Sequence, residues 1–122
     1  MKKVLLLIFL ILAFNAKAFC KETTYSKELF DKALSDGKVV VVSSWIKYCT
    51  SCASQMKVLN KAIKDFDNIE YFAFDVTNKE IAKSFNVQYQ TTLLIFKNNQ
   101  EVYRSIGETS KKAIYKAIKS SI

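Results

Sequence analysis

The 122-residue chain contains no histidine and no proline, and only two glycines and three cysteines. The lack of histidine excludes Cys–His nucleophilic catalysis and every zinc site built with imidazole. The three cysteines, Cys20, Cys49 and Cys52, cannot close a four-thiolate site within one chain. Acids are also scarce, 11 Asp and Glu against 19 Lys and Arg, for a formal charge of +8. The excess lysines are scattered through helical segments (Lys57, Lys61, Lys64, Lys111, Lys112, Lys116, Lys119) and are not gathered with aromatics. They read as solvated helix faces, so a nucleic-acid partner is not expected and only a weak pull toward anionic membrane surfaces remains. Internal repeats and low-complexity segments are absent as well.

What is present begins with an unusual first segment. MKKVLLLIFLILAFNAKA has a basic start at Lys2 and Lys3, an apolar block from Val4 to Phe14, and a small-x-small end at Ala16-Lys17-Ala18. That order fits a secretory signal over residues 1–18, cleaved after Ala18. The block is shorter than the roughly 20 residues a spanning helix needs, though extension through Phe19 keeps an uncleaved membrane anchor open as the alternative. Acylation of Cys20 fits less well, because Phe19 stands where a small residue is wanted. Removal of residues 1–18 takes away Lys2, Lys3 and Lys17 and no acid, lowering the formal charge from +8 to +5. Residues 19–25 read as a flexible N-terminal segment and residues 26–122 as one domain with an ordinary core.

Along that domain the hydrophobic period changes from element to element. SKELFDKALS (26–35) is a short amphipathic helix with Ser26 as N-cap and Gly37 as a stop. KVVVVSSW (38–45) is a continuous β-branched run suited to a strand buried on both faces. From Thr50 to about Asp67 the residues Cys52, Met56, Leu59, Ile63 and Phe66 make one helical stripe. IEYFAFD (69–75) is a second buried strand, NKEIAKSF a short helix capped by Asn78, and VQYQ a loop. TLLIFK (92–97) and QEVYRSI (100–106) form a hairpin around Asn98-Asn99, ended by Gly107. ETSKKAIYKAIKSSI closes the chain as a helix with Ala113, Ile114, Ala117 and Ile118 facing inward. The order predicts an α/β fold, a central mixed sheet of about four strands flanked by helices on both faces.

The chemistry concentrates in YCTSC. Cys49 falls at the N-terminal edge of the long helix, where unpaired N–H groups and the helix dipole favour a thiolate. Cys52 opens the apolar stripe and is expected to point inward. Residues one helical turn apart have Cα atoms within disulfide range, and so short a loop adds little of the entropic stabilisation expected of a structural staple. Cys49 is therefore read as the attacking thiol and Cys52 as the resolving one, exchanging electrons with a substrate through a mixed disulfide. An inert disulfide is the plainer alternative, and Cys20 reads as a free thiol or as a link to another chain.

SSWIKYCTSC resembles the active-site segment of the thioredoxin-like family, in which a strand ends, a tryptophan lies four residues before the first cysteine and an aromatic residue precedes it directly. Trp45 and Tyr48 fill those places, TLLIFKNNQEV resembles the family's hairpin, and Gly107 follows that hairpin where the family has a glycine beside the substrate groove. The resemblance covers residues 25–122 and implies an exported thiol-disulfide oxidoreductase acting on protein thiols or disulfides. Cys49 and Cys52 would be catalytic, and Trp45, Tyr48, Thr50, Ser51, Gln90, Thr91 and Gly107 would shape the groove. No cofactor or metal is expected beyond the redox-active pair. The chain is expected to act as a monomer in a bacterial periplasm, or anchored facing it, where a membrane electron donor or acceptor could serve it. The sequence departs from the family at points that matter. Thr91 stands where the best-known members have a cis-proline. A non-proline cis bond costs about 2.5–4 kcal/mol, so a trans Gln90–Thr91 bond is expected. Ser43 stands where many members bury an acid, and the lysine that often accompanies it is missing from YFAF. Other readings stay open: a binding module for exported polypeptides, or a dimer pooling thiolates around a soft metal or iron-sulfur cluster.

Overall fold

Four consecutive valines, Val39 to Val42, are all buried, because the strand they form is covered on both faces. The computed structural model describes residues 23–122; the readings for residues 1–18 and for Cys20 lie outside this range. The elements run β1 (Thr23–Thr24), α1 (Lys27–Ser35), β2 (Val39–Trp45), α2 (Thr50–Asp65), β3 (Ile69–Asp75), α3 (Lys79–Ser84), β4 (Thr92–Lys97), β5 (Gln100–Ile106) and α4 (Lys111–Ser121). The sheet order is β1-β3-β2-β4-β5. β3 pairs in parallel with β1 and β2, whereas β2–β4 and β4–β5 are antiparallel.

The four long strands are those expected from the sequence, and the mixed sheet is as well. The difference lies at the start. Residues 23–25, within the segment expected to be flexible, are pinned: Thr23 and Thr24 pair with Phe72 and Ala73, and the Tyr25 N–H donates to the Ala73 carbonyl at 2.9 Å. Two residues are too few to show a period of two, so their pairing was not legible. The closing helix also starts later than Glu108, because the Glu108 carboxylate accepts the Ser110 N–H at 2.9 Å and Ser110 then caps α4.

Period-two alternation splits the core by sheet face. Val39, Val41, Tyr71, Leu93 and Ile95 meet Leu59 and Ala62 of α2 and Ile114, Ala117 and Ile118 of α4. Val40, Val42, Phe72, Phe74 and Leu94 meet Phe30 and Ala33 of α1, Ala82 of α3, and Phe85. Each fully buried side chain of this size contributes about 1.5–3 kcal/mol. Side-chain oxygens of Ser26, Asn78 and Ser110 cap α1, α3 and α4, each cap stabilising by about 1 kcal/mol. Asn98 and Asn99 both take positive φ, 51° and 63°, the pairing a two-residue hairpin turn matched to strand twist requires.

Candidate active site

β2 ends at Trp45, a loop follows, and α2 begins, so the cysteines stand at the carboxyl edge of a central strand. Tyr48 takes φ 62°, turning the chain so that Cys49 becomes the N-cap of α2. Its Sγ accepts the Cys52 N–H at 3.2 Å, the place an oxygen fills in the other capped helices. The two cysteines are joined in a disulfide with Cα atoms 5.3 Å apart. Cys49 is half-buried, while Cys52 is only 2 % exposed. The outward and inward placements expected of the two sulfurs are both found.

The stripe on α2 is rotated slightly from its expected line. Cys52, Gln55, Leu59 and Ala62 form the buried row, with Met56, Ile63 and Phe66 half-buried beside it. Gln55 was not anticipated, although its spacing of three from Cys52 and four from Leu59 places it on the same face. Its Nε2 donates to the Thr91 carbonyl at 3.2 Å and to the Glu108 carbonyl at 2.8 Å. Its Oε1 is buried without a hydrogen-bond partner.

Thr91 is the other organising residue. Among the described residues no peptide bond is cis, so the Gln90–Thr91 bond is trans as expected, and the adjustment appears instead as φ 58° at Thr91. A β-branched residue in the left-handed region costs roughly 1–3 kcal/mol and persists only where surroundings over-determine it. Here they do. The Thr91 N–H, which proline would lack, donates to the Ser44 carbonyl at 2.9 Å, and the Thr91 carbonyl accepts the Gly107 N–H at 2.8 Å besides the Gln55 amide. Ser44 Oγ, also missed in the sequence, accepts the Thr92 N–H at 3.0 Å and donates to the Tyr89 carbonyl at 2.8 Å. So held, Thr91 places Oγ1 at 3.2 Å from Cys52 Sγ, 3.6 Å from Cys49 Sγ and 2.8 Å from Ser51 Oγ. Ser51 Oγ is itself 3.4 Å from Cys49 Sγ.

A groove of about 690 Å³ opens beside the sulfurs, walled by Trp45, Ile46, Tyr48, Thr50, Ala53 and Met56. Of these, Ile46 and Ala53 were not singled out in the sequence, and Met56 was read there as part of the helical core stripe. Tyr48 is fully exposed and Trp45 half-buried. Gly107, at φ 82° with open space where a Cβ would sit, is brought to the site through its bond to Thr91, so its glycine is required by conformation and not by crowding. Gln90 is exposed and enters as Thr91's chain neighbour.

In the interior, the Ser43 and Tyr71 hydroxyls are hydrogen-bonded to each other, a neutral pair where the resemblance would place a buried acid and its lysine. At the end of β3, Asp75 is held below the usual carboxylate range, first by the Thr77 N–H and hydroxyl and more weakly by Lys47.

Comparison with known proteins agrees with this geometry. The family model for Thioredoxin matches residues 21–120. The chain is 33 % identical over 87 residues to the thioredoxin of Mycobacterium bovis, covering 70 % of this chain and 75 % of that protein. It is 26 % identical over 98 residues to the H-type thioredoxin of Fagopyrum esculentum, covering 80 % and 84 %. Among solved structures, Trxlp from Edwardsiella tarda superposes with a TM-score of 0.72 at 32 % identity, covering 78 % of this chain and 95 % of that one.

Proposed function

The chain belongs to the thioredoxin family, with a thiol-disulfide oxidoreductase's Cys49–Cys52 disulfide, and from that premise we propose that it is an exported enzyme whose Cys49 attacks and whose Cys52 resolves. The observation that carries the division of labour is the contrast between the sulfurs: one caps a helix at the edge of an open groove, the other is 2 % exposed behind it. In the reduced protein the Cys52 N–H that now reaches Cys49 Sγ at 3.2 Å would stabilise a Cys49 thiolate, together with the dipole of α2. Cys49 Sγ attacks a protein disulfide, a mixed disulfide forms, and Cys52 Sγ displaces the reduced substrate; with a dithiol partner the steps run in reverse. Thioredoxins act on protein disulfides, and the extended, apolar groove walled by Trp45, Tyr48 and Met56 suits a polypeptide. The family resemblance assigns Gln90, Thr91 and Gly107 to the same groove, and the Thr91 hydroxyl lies within 3.6 Å of both sulfurs. The sulfur pair carries both electrons, so the monomer requires no further cofactor.

The basic, apolar and small-x-small order of residues 1–18 supports export and, with it, a periplasmic enzyme, free or tethered. Fractionation of cells making the full chain tests this, since recovery in the cytosol with residues 1–18 intact contradicts it. The catalytic assignment is tested by insulin disulfide reduction. The native chain is expected to be active and Cys49→Ala inactive; equal rates refute the roles given to the two sulfurs.

A further inference from the structure

Resolution by Cys52 poses a proton problem. Its thiol must lose a proton to attack, yet it is 2 % exposed, the chain has no histidine, and no carboxylate is buried among the described residues. Ser43, where a relative's acid would lie, bonds instead to the Tyr71 hydroxyl. The charged groups of the surrounding elements are engaged elsewhere: the Glu108 carboxylate accepts the Ser110 N–H, the Asp75 carboxylate accepts from Thr77, and Lys47 lies on the exposed loop before Cys49. The polar side-chain atom that does reach Cys52 Sγ is Thr91 Oγ1, at 3.2 Å.

We propose that the hydroxyls of Thr91 and Ser51 form a two-step proton wire from the buried Cys52 sulfur to solvent, serving the resolving step in place of a buried acid. The proposal rests on the reading that Cys49 attacks and Cys52 resolves. Its geometry is continuous: Cys52 Sγ to Thr91 Oγ1 is 3.2 Å, Thr91 Oγ1 to Ser51 Oγ is 2.8 Å, and Ser51 is exposed at the first turn of α2. Thr91 itself is 3 % exposed, so its hydroxyl connects an interior sulfur to a surface hydroxyl. A proline at this position would have no hydroxyl to contribute, and the left-handed backbone at Thr91, held by Ser44, Gly107 and Gln55, is what aims Oγ1 at the sulfurs.

In the step itself the Cys52 S–H bond breaks and its proton passes to Thr91 Oγ1, while the Thr91 proton passes to Ser51 Oγ and the Ser51 proton to water. Both hydroxyls stay neutral, and rotation about their C–O bonds resets them. The freed Cys52 electron pair forms the S–S bond to Cys49 Sγ, and the bond from Cys49 to the substrate sulfur breaks. The pair from that bond leaves on the substrate thiolate, which takes a proton from water. The enzyme dithiol is oxidised by two electrons and the substrate disulfide reduced by two.

The test separates the two steps. The reduced full chain carrying Cys20→Ser is mixed with a small aromatic disulfide whose thiolate absorbs visibly. Attack by Cys49 releases one equivalent and resolution by Cys52 a second. Thr91→Val keeps the branched shape and deletes the hydroxyl; near neutral pH the ratio of second-phase to first-phase rate is expected to fall about tenfold, below the usual range for a full general base, and to recover as the pH is raised. Thr91→Ser, which retains the hydroxyl, is expected to restore the ratio to within about twofold. An unchanged ratio in Thr91→Val, or an equal fall in Thr91→Ser, overturns the wire. Should Thr91→Val not fold, Ser51→Ala at an exposed position decides: a fall of about threefold supports the wire and a native ratio overturns it. Absence of any first phase in the unmutated site would instead remove the assignment of Cys49, a separate failure.

Discussion

The two faces of the sheet are built from different chemistry. On the α1/α3 face the rings of Tyr25, Phe30, Phe74 and Phe96 surround Phe85 with centroids 5.1, 5.3, 5.7 and 5.8 Å away, and the packing there is aromatic and apolar apart from Ser44 and Thr92 at the strand ends. On the α2/α4 face an aliphatic core carries buried polar groups: Ser43 with Tyr71, and Gln55 reaching across to Thr91 and Glu108. The difference teaches where conformational specificity is spent. Aromatic contacts bury large areas and serve stability, whereas buried polar groups lose far more when misaligned, so they fix a unique geometry. The redox site sits at the end of the polar face, next to Thr91, whose left-handed backbone Gln55 of that face helps to hold in place.

The sharpest way to break the contrast is to cut the aromatic face. Phe85→Ala is expected to cost about 3–5 kcal/mol of stability in urea unfolding while leaving the reduction potential of Cys49–Cys52 unchanged; a shifted potential would mean the faces are coupled. Gln55→Leu should do the opposite. Losing the two amide donors is offset by removing the unpartnered Oε1, so stability stays within about 1 kcal/mol, while insulin reduction falls about fivefold as the Thr91 and Glu108 segments loosen. A large stability loss with native turnover would make Gln55 a packing residue only. The smallest effect lies at the far end of the polar face. Tyr115 donates to the Asp65 carboxylate at 2.6 Å, and burial, then that bond, pushes its pKa up to about 12. An unfolded tyrosine ionises near 10, so this raised group contributes its full stability below about pH 10 and loses it as the pH climbs toward 12. Tyr115→Phe is expected to flatten that alkaline decline in thermal melting, and an unaltered decline would assign it to another group.

Legibility tracked the range of the interactions. Ser26 and Asn78 as caps, the Asn98-Asn99 turn, the doubly buried valine run and the outward-inward pair of cysteines all follow from spacing within one or two turns of chain. What escaped were residues whose role depends on partners far away in sequence. Gln55 looks like an ordinary polar helix position until the Thr91 and Glu108 carbonyls are brought to it. Ser44 looks like one more strand residue until it bonds to Tyr89 and Thr92. Met56, read as core stripe, is half-buried and walls the groove.

By itself the amino-acid order determined that a thiol pair would stand at a helix start behind a buried strand, that no imidazole could assist it, and that no proline could face it. Those are matters of composition and short-range periodicity. Only the tertiary structure decided that a threonine hydroxyl would lie beside the two sulfurs, within reach of both. That placement needs a left-handed backbone at one residue, and such strain is held only by hydrogen bonds from β2, α2 and the turn after β5 that converge on it from distant parts of the chain.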